Sequence, residues 1–109
     1  MMTNRILACA ALSLTLIAGR ALAQKPGDAA KGKEVFEQCG VCHNADSDEK
    51  KMGPGLKGLY KKAKMANGQK PTDASILALV NKGKGTMPAF ADVLSAEEKA
   101  DLMAYLKTL

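Results

Sequence analysis

Cys39, Gly40, Val41, Cys42 and His43 form a Cys-x-x-Cys-His run, and no other feature restricts the chain as tightly. On one helical turn, positions i, i+3 and i+4 share a face. Two thiols at that spacing can each add to one vinyl group of a single porphyrin, while the following residue sets an imidazole below its iron. The pattern reads as a covalent attachment site for one c-type haem.

Other chemistries account for fewer of these residues. A structural zinc site needs four ligands, yet His43 is the only histidine and Cys9 the only further cysteine. A thioredoxin-like redox pair belongs in a βαβ pattern, and no strand pattern precedes Cys39. A simple disulfide in an oxidising compartment stays open, but leaves His43 unexplained.

The first 23 residues have the three parts of an export signal. Arg5 supplies the positive start, residues 6–18 the apolar run, and Ala21-Leu22-Ala23 the small-residue cleavage site. The apolar run is shorter than the ~20 residues of a transmembrane helix. Cleavage before Gln24 leaves residues 24–109 as the mature domain; retention of the segment as an anchor is the alternative. Ile6-Leu7-Ala8-Cys9 superficially resembles a lipidation box, but most of the apolar stretch follows Cys9. Arg20 is an irregularity so close to the cut.

Loss of Arg5 and Arg20 lowers the 16 basic residues to 14 against 11 acidic ones, a modest positive charge. The mature stretch has no repeat, linker or low-complexity run and reads as one domain. A domain of this size has a small core, and its aromatic residues are Phe36, Tyr60, Phe90 and Tyr105. A haem is expected to supply much of the missing apolar bulk.

Three helices are predicted, and no alternating pattern competes with them, so the fold class is all-α. The first follows Asp28 as N-cap and carries Ala29, Gly32, Val35, Phe36 and Cys39 at helical spacing into the motif. A second begins near Thr72 or Asp73, presents Ile76, Leu77 and Val80, and stops at Lys82-Gly83. The third opens on Ser95-Ala96-Glu97-Glu98, a capping box, and presents Leu102, Met103, Leu106 and Leu109.

With these residues in place, the sequence from Gln24 to Leu109 resembles a class I cytochrome c, the small monohaem type. The resemblance rests on Gly32 and Phe36, on the Cys39 to His43 motif, on Gly53-Pro54-Gly55-Leu56, and on Gly85-Thr86-Met87-Pro88 ahead of a helix with Leu102 and Tyr105. It implies a small cytochrome c fold, three to five helices wrapped around a covalently attached haem, with Gly32 where the first and last helices cross. It further implies that the Pro54 carbonyl accepts a hydrogen bond from His43 Nδ1–H, fixing the ring and its tautomer, and that Leu56 packs on the porphyrin.

The sixth iron ligand is sought among the four methionines after the signal. Met103 falls on the apolar face of the last helix and suits the core. Met52 is too near His43 in sequence to reach the opposite haem face easily. Met65, in a polar lysine-rich stretch, is the second choice. Met87, between glycines and Pro88 in an extended loop, is the first, and it matches the family methionine. A thioether opposite an imidazole raises the reduction potential and fills both axial positions.

These residues predict an electron carrier, not an enzyme, periplasmic and monomeric, its one haem c attached through Cys39 and Cys42 and cycling between ferric and ferrous iron. A haem enzyme or gas-binding module would require Met87 to be off the iron or easily displaced. A dedicated subunit of a larger oxidoreductase is a further reading. Lys50, Lys51, Lys57, Lys61, Lys62, Lys64, Lys82 and Lys84 form either an ordinary solvated surface or a basic rim that steers acidic redox partners docking transiently. The export signal and small net charge argue against nucleic acid as a partner.

Overall fold

The computed structural model describes residues 26–109; the proposed signal at 1–23 lies outside them. Three α-helices occur among the described residues: α1 (Ala29–Phe36), α2 (Asp73–Lys82) and α3 (Ala96–Leu106), with a 3-10 turn at Leu59–Lys61.

Local capping chemistry sets the starts. The Asp28 carboxylate accepts from the backbone N–H of Ala30 and Lys31, which would otherwise lack partners. Thr72 and Ser75 exchange hydrogen bonds in a reciprocal box, as do Ser95 and Glu98. Gly83, at φ +71°, ends α2 in a conformation that a side chain rarely adopts.

The first helix stops earlier than its spacing suggests. It ends at Phe36, and Cys39 lies beyond it in a succession of turns. The Glu37 N–H reaches back three residues to Glu34 and the Cys39 N–H three to Phe36, while four-residue bonds recur singly, Gly40 N–H on Phe36 O at 2.8 Å and His43 N–H on Cys39 O at 3.0 Å. The motif thus has a turn of its own. Cys39 and His43 still span a single α-turn, so the shared face survives the break.

Packing of α1 across α3 organises the domain. Gly32 is buried, and a Cβ there would overlap the Asp101 carbonyl and come within 2.8 Å of Tyr105 Cβ. Close backbone approach is what this glycine permits. Beside the crossing, the Phe36 and Tyr105 rings lie 5.3 Å apart at 56°, a tilted aromatic pair. The buried Asp101 carboxylate accepts from the Asp28 N–H at 2.7 Å and ties the start of α1 to α3.

Phe36, Leu59, Ile76, Val80, Leu94, Leu102, Met103 and Leu106 make the buried apolar cluster, with Leu56, Met65, Met87 and Phe90 packed at its margin. A polar clamp joins three elements on another side. Tyr60 donates to Asp73 Oδ1 at 2.8 Å, and Lys107 binds Asp73 Oδ2 at 2.9 Å. The hydrogen bond from Lys107, then that from Tyr60, holds the Asp73 carboxyl below its ordinary range. Burial, with the Asp73 carboxylate beside it, pushes the Tyr60 phenol well above the ordinary phenolic range.

Candidate haem site

Cys39 and Cys42 are both half-buried. Burial, and secondarily the charge on Cys42, pushes the Cys39 thiol up. Among the described residues no group of three or more His, Cys, Asp or Glu side chains could hold a metal ion.

A strap from Lys51 to Leu56 closes over the motif. Its backbone meets the motif where Gly53 N–H donates to Cys42 O and Leu56 N–H to Asn44 O, both at 2.8 Å. Lys51 Nζ donates to Gly40 O at 3.1 Å, and Met52 Sδ lies 3.8 Å from Cys42 Sγ. The Pro54 carbonyl lies 2.8 Å from His43 Nδ1. A carbonyl only accepts, so this contact places the imidazole proton on Nδ1 and leaves the Nε2 lone pair for a metal.

Gly53 serves the same ring by being small. A Cβ there would come within 2.5 Å of His43 Cε1 and 2.8 Å of Nδ1. The imidazole is therefore held flat against backbone on one side and hydrogen-bonded at Nδ1. Two thiols on one turn with an oriented imidazole next to them are the donor set that a covalently attached haem requires, and the residues present fit that group.

Met87 sits in a tight reversal. Lys84 and Met87 exchange both backbone hydrogen bonds, at 3.1 and 3.0 Å. Gly85 has φ +61° and Thr86 does not share the positive sign, which is the pattern of a type II′ turn. Gly83 lies just before it, and a Cβ there would be 2.5 Å from Met87 O. Phe90 N–H donates to Val80 O at 2.9 Å, returning the chain onto α2.

The remaining methionines separate by burial. Met103 is in the core and Met52 is 70% exposed. Met65, the second-choice ligand, is half-buried against the core edge, as Met87 is. Pro71, later in the same loop, is buried. Leu56 is half-buried on the same cluster. Of the lysines, Lys62 is ion-paired to Asp48 at 3.1 Å, and Lys51 is engaged by the strap. Lys50, Lys57, Lys61, Lys64, Lys82 and Lys84 are exposed.

Sequence inspection missed the strap contacts of Lys51 and Met52, the burial of Asp101 and Leu94, and the Tyr60–Asp73–Lys107 clamp. Leu94 carried a partial signal as an apolar residue immediately before the Ser95 cap, although the position a hydrophobic staple would pair it with holds Lys99. The others depend on contacts between distant segments.

Comparison with known proteins shows the family. The family pattern described as "Cytochrome C oxidase, cbb3-type, subunit III" matches residues 27–106. A cytochrome c6 of Leptolyngbya boryana is 40% identical over 80 residues, 72% of this chain and 89% of its own. A cytochrome c of Euglena viridis is 31% identical over 100 residues, covering 76% and 98%. The crystal structure of cytochrome c6 from the diatom Phaeodactylum tricornutum superposes with a TM-score of 0.58 at 33% identity, covering 75% of this chain and 93% of that one.

The chain belongs to the cytochrome c family, as a class I monohaem member. It is an electron-transfer protein whose one haem c is attached through Cys39 and Cys42.

Proposed function

We propose that this cytochrome is a periplasmic carrier in which His43 and Met87 ligate the haem iron. The observation that carries the reading is His43 itself, with Nδ1 bonded to Pro54 O and its ring backed by Gly53. The Nδ1–H···O contact makes the imidazole a more electron-rich ligand and fixes its angle. Met87 is offered by a turn with little backbone freedom, and Leu56 lines the cofactor's apolar surroundings. When bound, the haem supplies a one-electron iron couple.

Residues 1–23 act as a cleaved export signal in this reading, leaving 24–109 as the functional domain. The exposed lysines present positive charge to acidic redox partners, which dock transiently and without nucleic acid. The protein works as a monomer.

Substitution of the two methionines at the core margin tests the ligand assignment. Met87→Ala is expected to keep covalent haem on denaturing gels, lose the far-red thioether-to-ferric band, lower the reduction potential and bind carbon monoxide or cyanide more readily. The same losses in Met65→Ala, with Met87→Ala unaffected, would overturn it. Mass spectrometry of the exported protein tests the cut, with Gln24 as the expected first residue.

A further inference from the structure

The segment between the 3-10 turn and α2 holds the chain's one Asn-Gly pair, Asn67-Gly68. The other asparagines among the described residues, Asn44 and Asn81, are followed by Ala45 and Lys82. Glycine is the least hindered residue that can follow an asparagine, and its main chain turns most freely. Here it is also open to solvent. Gly68 is exposed, and a Cβ there would meet nothing within 4 Å.

The Asn67 side chain is already folded over its C-terminal neighbours. Its Oδ1 accepts from the Gln69 N–H at 3.1 Å, and its Nδ2 donates to Gln69 Oε1 at 3.2 Å. The first of these bonds closes an Asx turn, which keeps the Cγ carbonyl beside the Gly68 nitrogen. It also aims a backbone N–H at the oxygen that gains negative charge when Cγ is attacked. One restraint opposes attack. Gly68 N–H is donated to Met65 O at 2.9 Å, so the Gly68 peptide must rotate before its nitrogen is free, a motion that glycine tolerates.

We infer that Asn67 is a site of spontaneous deamidation, a slow covalent mark written into this loop. Hydroxide removes the Gly68 N–H proton, the nitrogen forms a bond to Asn67 Cγ, and the Cγ–Nδ2 bond breaks as ammonia leaves with a proton from water. Water then opens the resulting succinimide at either carbonyl, giving aspartate or isoaspartate. No electron is transferred. Each product puts a carboxylate in the same segment as Lys61, Lys64 and Lys70, all exposed, and so lowers the positive charge of that lysine-rich stretch. Isoaspartate in addition adds a methylene to the main chain inside the turn that holds Met65, whose N–H is bonded to Gln69 O at 2.8 Å. The site is independent of which methionine ligates the iron.

Incubation of the holoprotein in warm, mildly alkaline buffer, sampled over days, tests it. A more acidic form should accumulate and elute early from a cation exchanger, together with the variant Asn67→Asp. Peptide mapping by fragmentation mass spectrometry should place the new acid at Asn67, formed roughly tenfold faster than at Asn44 or Asn81. Labelling by an isoaspartyl methyltransferase should detect the isoaspartate that only a succinimide yields. Asn67→Gln, whose longer side chain would have to close a larger ring, should form none of this species while keeping the visible spectrum and potential of the wild type. Conversion of Asn67 no faster than that of Asn44 and Asn81, absence of an acidic form, or the same form in Asn67→Gln overturns the proposal. Aspartate without isoaspartate would overturn the attack by Gly68.

Discussion

Gly32→Ala places two familiar rules in opposition. Helix propensity alone favours alanine by about 1 kcal/mol at an interior helical position. The crossing opposes it, because the new Cβ would overlap the Asp101 carbonyl and press on Tyr105 Cβ. These obstacles are backbone and a side-chain root, neither of which can swing aside, so α1 and α3 must separate. Overpacking of this kind costs about 1–3 kcal/mol. Separation also loosens the Phe36–Tyr105 pair, at about 0.5–1.5 kcal/mol, and the bond from Asp28 N–H to the Asp101 carboxylate, at about 1.5–3 kcal/mol. Partial relaxation keeps these losses from adding fully, and after the propensity gain we expect a net destabilisation of about 2–4 kcal/mol. For a domain of this size that lowers Tm by roughly 10–25 °C. Thermal unfolding of the holoprotein, followed by circular dichroism at fixed pH, measures it. A variant as stable as the wild type, or more so, would refute the close-approach argument and return Gly32 to an ordinary helical position.

Gly83→Ala should disturb the Met87 turn more than the overall fold, since it combines a positive φ with a clash against Met87 O; the far-red band and circular dichroism report the two effects separately. Asp73→Asn tests the clamp. The folded-state pKa of Asp73 lies below its unfolded value, so its contribution is present above the usual carboxylate pKa of about 3.9 and disappears as pH falls through the folded value. Because the pair is largely exposed, the wild type should lead by no more than about 1 kcal/mol in urea titrations near pH 6, and the lead should shrink towards pH 3. Reversal of Lys61, Lys82 and Lys84 to Glu should slow electron transfer to an acidic protein partner and weaken or invert the salt dependence, chiefly through the association rate. Superimposable salt curves would assign these lysines to ordinary solvated surface.

The parts of this fold that were legible in sequence are those written in local chemistry. Asp28, Thr72 and Ser95 begin helices because their oxygens satisfy N–H groups two or three residues away, a relation contained within a short window. Gly83 closes α2 for an equally local reason. The end of α1 was harder to read, because Glu37 and Gln38 are acceptable helical residues and Glu37 retains helical angles. What ends the helix is a change of hydrogen-bond pattern as the chain enters the motif. Asp101 shows the other limit. Its position in α3 suggests a solvated carboxylate, and only the arrival of Asp28 N–H, 73 residues earlier, explains why it is buried.

The two candidate axial residues are held in different ways, and the difference follows from their chemistry. An imidazole has a second nitrogen, so the protein can grip His43 at Nδ1 and leave Nε2 free; the Pro54 carbonyl and the Gly53 backbone do this from one strap. A thioether offers only a weakly accepting sulfur. Met87 is positioned chiefly through its main chain, by a two-bond turn, a glycine at positive φ within it, and Pro88 after it. Glycine therefore serves opposite ends at the two places. At Gly53 its missing side chain lets backbone press on a ring, whereas at Gly83 and Gly85 its backbone freedom makes a turn that would be strained in other residues. This is also why side-chain substitution within the strap should change the site less than substitution of its glycines: the carbonyl and amide groups that orient His43 belong to the backbone, and only a change in the path of the chain removes them.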